Sequence, residues 1–143
     1  MITDKLLRVS ENQAVTTTAV STNTIDLGTA RDIGEGEGLT MNFAVTEAFA
    51  GGTSTAFEII IATDAALSAN VEVVSSSGAK VTADLTLGKN YQVKVNPLPN
   101  KGKRYMGARY TVVGTNSAGK VTADVVLDIQ DGKKFYASGF SVV

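Results

Sequence analysis

The chain contains no cysteine, no histidine and no tryptophan. Without cysteine there can be no disulfide, no thiolate metal site and no sulfur nucleophile. Without histidine the commonest general base and the commonest zinc ligand are both missing, and a Ser-His-Asp relay cannot be assembled. Without tryptophan the largest stacking platform for sugar rings and bases is gone. Proline occurs twice, both times in the NPLPN stretch at 96–100, which reads as loop. The longest aliphatic run, Ile59 to Ala62, is far short of the roughly 20 residues that cross a bilayer. The opening MITDKLLRVSENQ lacks an apolar core followed by small residues, so it does not read as a signal peptide and synthesis in the cytosol is expected. These absences lead to an expectation of no catalytic activity, no cofactor and no bound metal.

What is present is hydrophobic alternation. The chain has 143 residues, 43% of them apolar and 19% charged, a globular composition that fits one domain on the prior of about 100–200 residues each. In GKVTADVVLDIQ, Val121, Ala123, Val125, Leu127 and Ile129 fall on one face, while Lys120, Thr122, Asp124 and Asp128 fall on the other. Period two marks a strand buried on one side. The same pattern places Leu39, Met41, Phe43 and Val45 inward in LTMNFAV, and Tyr91, Val93 and Val95 inward in YQVKV. It also predicts inward Val81, Ala83, Leu85 and Leu87 in KVTADLTL, and Met106, Ala108, Tyr110 and Val112 in RYMGARYTVV. FEIIIAT is apolar on both faces, as a central strand would be, and weaker strand signals lie at 14–20, 23–28 and 71–75. Threonine and valine, 17 of each, are stiff at χ1 in a way that suits strands. Only DAALS at 64–68, opening on an aspartate, resembles a capped helical turn. With glycine-marked turns between them, roughly eight strands predict an all-β antiparallel sandwich of jelly-roll or immunoglobulin-like kind.

Charge is unevenly spread along the chain. Residues 1–88 carry 4 basic and 11 acidic side chains, and residues 89–143 carry 9 basic and 3 acidic ones. Either the fold mixes the two halves and cancels the asymmetry, or it displays separate acidic and basic regions for contacts with other copies or a charged shell. The acidic run of Asp32, Glu35 and Glu37 in DIGEGEG lacks the Asp-x-Asp-x-Asp-Gly spacing of a calcium loop and reads as a solvated turn. Asp124 and Asp128 read as solubility on a polar strand face. The run KGKRYMGAR pairs Lys101, Lys103 and Arg104 with Tyr105, but Tyr105 and Tyr110 fall on opposite faces and cannot form a stacking row for single-stranded nucleic acid. These cations are better read as part of a contact surface than as a nucleic-acid site.

Both termini are apolar. The start carries Ile2, Leu6 and Leu7, and KKFYASGFSVV near the end carries Phe135, Tyr136 and Phe140. Each terminus either folds back on its own core or serves as a docking arm, over 1–13 and 132–143, for a shell or a second subunit. One domain over 1–143 with two such arms is the expected organisation.

The segments DKLLRVSENQAVT, IDLGTARDIGEGE, FAGGTS, KRYMGARYTVVGTNSAGKVTADVVLDIQ and YASGF, in that order, resemble the capsid cement (decoration) proteins first described for a Bordetella podophage. The resemblance implies a jelly-roll sandwich without catalytic activity that binds the outside of an icosahedral shell. Its partners would be the major capsid protein of a tailed phage and other copies of itself, as a homodimer or, alternatively, a homotrimer. Neither nucleic acid nor membrane is an expected partner, and the expected location is the outer capsid surface of the virion. The basic stretch around Lys101 to Arg104 departs from the family pattern. A carbohydrate-binding or adhesin-like sandwich is the alternative function, and it would need an exposed aromatic platform.

Overall fold

The computed structural model describes residues 3–28, 38–95 and 103–127. Nine strands run through the described residues: β1 (Arg8–Ala14), β2 (Ala19–Val20), β3 (Ile25–Asp26), β4 (Leu39–Gly51), β5 (Ser54–Ala62), β6 (Glu72–Val81), β7 (Asn90–Val95), β8 (Tyr105–Val113) and β9 (Asn116–Val126). Two 3-10 turns, Lys5–Leu7 and Thr82–Asp84, are the only helical pieces among these residues.

The strands form two antiparallel sheets, one in the order β1-β9-β4-β7 and the other in the order β2-β8-β5-β6, with β3 also paired to β8. Because β2 and β3 lie along the same edge of β8, they act as one interrupted strand. Counted that way, eight strands in the orders 1-8-3-6 and 2-7-4-5 make the jelly roll, with its two interleaved Greek keys. The immunoglobulin-like alternative is set aside by this order.

The inward faces supply the core expected from alternation. Met41, Phe43 and Val45 of β4 and Val121, Ala123 and Val125 of β9 meet Phe57, Ile59 and Ile61 of β5 and Met106, Ala108 and Tyr110 of β8. Aromatic rings bind the sheets together: Phe57 lies 5.2 Å from both Phe43 and Tyr91 by ring centroid, and Tyr110 stands edge-on to Phe43 and Phe57 at 6.1 Å. Such pairs add about 0.5–1.5 kcal/mol each beyond their burial.

Several expectations need correction. The stretch 80–87 is not a strand along its length: β6 stops at Val81, and the chain must then cross from one sheet to the other before β7 begins. Of the four residues expected inward there, only Leu85 is buried. Its carbonyl accepts from the Phe49 N–H, whereas Val81 and Leu87 are exposed. Asp124 is not a solvated surface acid; it is buried and bonded to Arg8 on the neighbouring strand. Ile129 and Asp128 lie outside the described residues. Residues 8–13 of the span expected as an arm belong instead to β1, where Val9 is fully buried.

β5 is central and apolar on both faces for a structural reason. Ile59 and Ile61 face the main core, while Ile60 and Ala62 form a second, smaller cluster on the outer side with Leu67. The connection 63–71 folds over that outer face. Asp64 holds it there by accepting from the Ser68 and Ala69 N–H groups at 3.0 and 2.7 Å, and Leu67 ends the turn in a left-handed conformation (φ 54°). The aspartate cap is therefore present, but on a single turn and not a helix. Gly107 makes room: a Cβ there would collide with the Leu67 side chain and lie 2.7 Å from Ser21 Oγ.

Candidate functional site

The jelly-roll order sorts the connections to two ends. At one end lie the short links 15–18, 51–53, 82–89 and 114–115. The 51–53 and 114–115 links pack closely: Gly51 has φ 89°, and a Cβ there would come within 2.7 Å of Ser117 N and 2.8 Å of the Thr115 carbonyl oxygen. At the opposite end lie residues 3–7, the connection 63–71, the described ends of the links between β3 and β4 and between β7 and β8, and the exit of β9. Antiparallel pairing thus brings the amino-terminal residues, the stretch near 103 and the point where the chain leaves β9 to one end, although they are far apart in sequence.

The sequence-predicted contact residues that are described, Leu6, Leu7, Lys103 and Arg104, belong to these segments. Leu6 is 86% exposed, the most exposed large apolar side chain described, and Leu7 is 37% exposed. Both sit in the 3-10 turn, which Asp4 caps by accepting from the Leu6 N–H at 2.9 Å. Lys103 and Arg104 lie just before β8. Ile2, Lys101, Phe135, Tyr136 and Phe140 lie outside the described residues, as do Asp32, Glu35 and Glu37.

Lys103 and Arg104 are not unopposed cations. Lys103 Nζ donates to Glu72 Oε2 at 2.8 Å, and Arg104 donates through Nε and Nη2 to the two carboxylate oxygens of Asp26, both at 2.6 Å. The Arg104 guanidinium also lies 5.5 Å from the Tyr105 ring centroid. These bonds, with the Gly28 N–H, hold the Asp26 carboxyl at a pKa of about 2. Arg109–Glu58 and Lys120–Glu47 complete a set of pairs in which each cation comes from the basic half of the sequence and each acid from the acidic half. Antiparallel pairing therefore cancels the charge asymmetry among the described residues.

At the edge of the first sheet, Arg8 reaches Asp124 Oδ1 through Nε at 2.8 Å, Glu11 Oε1 through Nη1 at 2.9 Å and Thr3 Oγ1 through Nη2 at 3.1 Å. The bond to Asp124, and then the charge of that carboxylate, raises the Arg8 pKa. One guanidinium thereby ties the amino-terminal turn to β9. Among the described residues no group of three or more acidic side chains is placed to hold a metal ion.

The feature that alternation misplaced is apolar. Leu7, Leu27, Leu39 and Leu127 are 37%, 39%, 41% and 63% exposed. Each stands two residues beyond a core position of its strand (Val9, Ile25, Met41 and Val125 respectively), all at the loop-rich end. Leu39 and Leu127, expected inward, thus continue the core phase past the point where the two sheets enclose it. Thr40 pairs with Val126, so Leu39 and Leu127 are also neighbours across the sheet. Period two tells which face a residue takes, not where the opposite sheet ends.

No curated protein matches this chain. The Bbp16 family model matches residues 9–125, a span that includes all nine strands to within one residue at either end. With the fold and the match covering the same stretch, the chain belongs to the Bbp16 family, a family of Bordetella phage proteins.

Proposed function

We propose that this protein is a capsid cement: a structural virion protein that sits on the outer surface of an icosahedral tailed-phage shell and bridges neighbouring capsomers against the pressure of packaged DNA. The observation that carries the reading is membership of the Bbp16 family, which points to a phage structural protein. The physics of the fold supports it. A bridging tile needs a rigid body and contact area and no reaction, and here two sheets are locked by a continuous aromatic core. The partners on this reading are the major capsid protein and further copies of the chain, as dimers in preference to trimers. Several attachment points on one oligomer multiply, because each bound point raises the effective concentration at the next.

The loop-rich end is the docking end on this reading. It carries the exposed Leu6 and Leu7 and the ion-paired Lys103 and Arg104, apolar and charged groups of the kinds interfaces combine. The alternative, a carbohydrate-binding or adhesin-like module, has less support. Phe43, Phe49, Phe57 and Tyr110 are buried and Tyr91 and Tyr105 are half-buried, so no described aromatic offers a platform.

Purified protein should co-sediment with expanded empty shells, saturate at a copy number fixed by shell symmetry and raise the temperature at which shells break. Leu6→Asp, at an exposed side chain, should weaken that binding while leaving the unfolding midpoint unchanged. Shells that fail to bind the native protein under all conditions would refute the reading, and a glycan array with strong hits would favour the alternative.

A further inference from the structure

The outer strand of a sheet carries a row of main-chain donors and acceptors that another chain can extend. Three of the four sheet edges among the described residues are interrupted. β1 shifts register against β9 twice and holds Asn12 at a φ of 46°. The edge beyond β8 consists of the two-residue strands β2 and β3. β6 shifts twice against β5 and bulges at Gly78 (φ 68°), where Ser76 Oγ accepts from the Gly78 N–H and Ser77 Oγ donates to the Gly78 carbonyl. Bulges and very short strands keep edges from pairing. β7 differs: Asn90–Val95 face Leu39–Ala44 of β4 one to one without a shift, and no described strand pairs with the other side. The direction of its main-chain groups follows from the ladder. The Val45 N–H donates to the Lys89 carbonyl at 2.8 Å, and antiparallel pairs alternate between exchanging hydrogen bonds and not. Tyr91, Val93 and Val95 therefore turn their main-chain groups to β4, while Asn90, Gln92 and Lys94, all exposed, turn theirs outward.

We propose that two copies of this chain pair through β7, antiparallel across a two-fold axis at Gln92, so that the first sheet runs unbroken through both. The occupant follows from a self-match in the strand. Only a centre at Gln92 sets all three residues with outward groups against one another, Asn90 facing Lys94 of the second copy and Gln92 facing Gln92, for about six main-chain hydrogen bonds. In that register Tyr91 faces Val93 of the second copy, an aromatic and a β-branched side chain of the kind that stabilises neighbouring strands. No like charges oppose, since Lys94 is the one charged residue of the strand and meets an asparagine. A centre at Lys94 would instead set lysine against lysine. The proposal rests on the cement reading only for the expectation that copies associate, and it needs no shell. A six-residue edge is small beside the roughly 1,200–2,000 Å² of a stable complex, so the free dimer dissociates in the micromolar range or above. Copies held side by side on a surface would pair more fully, because their effective concentration is higher.

Sedimentation equilibrium of the full chain, without shells, should show the mass rising from monomer towards dimer between about 1 and 500 µM. Gln92→Pro removes an outward N–H at an edge position where proline is tolerated, and it should abolish the rise. Two substitutions at one exposed residue test the register. Asn90→Glu sets a carboxylate against Lys94 of the second copy twice per dimer and should tighten pairing by about two- to thirtyfold, whereas Asn90→Lys opposes like charges and should weaken it. This pair decides the matter even where proline unfolds the monomer. Because the chain has no cysteine, a single thiol can also report the contact. Gln92→Cys treated with a short bismaleimide should give a dimer band at high protein concentration, and Ser76→Cys, on the bulged edge, should not. A chain that stays monomeric over the whole range would overturn the proposal, as would a folded Gln92→Pro that still pairs. Equal dimer constants for the two Asn90 variants, or cross-linking as strong at Ser76, would overturn it as well. Because no shell takes part, failure here leaves the cement reading standing, and failure of shell binding leaves this one standing.

Discussion

Tyr110 offers the sharpest test of how the two sheets are held in register. Its ring is fully buried, and its hydroxyl donates to Ser10 Oγ at 2.7 Å. Ser10 in turn donates to Gln13 Oε1 at 2.7 Å, and Gln13 Nε2 donates to the Val20 carbonyl at 2.7 Å. The chain of bonds runs from β8 to β1 and back to β2, crossing between the sheets twice. Tyr110→Phe keeps the ring and removes one bond, and it leaves a buried Ser10 lone pair without its donor. A loss of about 1–2 kcal/mol is expected. Ser10→Ala strands the buried phenol hydroxyl instead, for about 1–3 kcal/mol. The double variant should cost less than the sum of the singles by about 1 kcal/mol, since each single leaves an orphan that the double does not.

Urea unfolding measures all three variants, and heat gives a parallel reading at about 3 °C per kcal/mol for a domain near this size. The pH dependence adds an independent arm. Burial pushes the Tyr110 pKa well above its ordinary value of 10.0. The folded state therefore keeps a proton that the unfolded state loses, so the stability linked to this group is present below pH 10 and is lost as pH rises beyond it. Tyr110→Phe should flatten the alkaline fall in stability. Some slope should remain, because burial also raises Tyr91. Strict additivity of the two substitutions, together with an unchanged alkaline slope, would refute the account of a coupled network between the sheets.

Gly107→Ala should cost about 1–3 kcal/mol by forcing Leu67 off the outer cluster. Leu67→Ala added to it should recover part of that loss in the urea midpoint, and hydrogen exchange should show the change confined to 63–71. The Asp26 carboxyl, held at about 2 by Arg104, contributes stability that is present above the ordinary carboxylate range and is lost as pH falls towards 2. NMR titration should find its pKa rising towards the usual value in Arg104→Ala. Arg8→Ala removes the partner of a buried Asp124 and should cost about 1–3 kcal/mol, less than a fully buried pair because Arg8 is partly solvated. Asp124→Asn added to it should restore stability in thermal unfolding.

Much of the fold was legible because sheets write their burial in period two. Val121, Ala123 and Val125 repeat it cleanly, and so do Met41, Phe43 and Val45, since each lies well inside the span covered by the other sheet. β1 was less legible. Its RVSENQA alternates poorly because Ser10 is buried for a hydrogen bond and Asn12 sits at a positive φ of 46° where the register with β9 shifts. Asp124 was misread for a related reason: residue type alone does not show that Arg8, 116 positions away, stands beside it. For the candidate site, the sequence singled out segments but not how the fold assembles them. Lys103, Arg104 and Leu7 meet at one end through strand order, which no local pattern records. Leu27, the remaining residue of the open end, gave no signal, since a two-residue strand is too short to show a period.

The tightly linked end of the sandwich also has a practical side. Leu87 is 70% exposed and a side chain added at Gly88 would meet nothing within 4 Å, so the β6–β7 link has room that the glycine-packed links beside it lack. A foreign epitope spliced in at this link would project away from the leucine-bearing pole. If the protein binds a shell by its loop-rich end as proposed, such an insert would face the surrounding medium in a regular, multivalent array, the arrangement that antigen display requires.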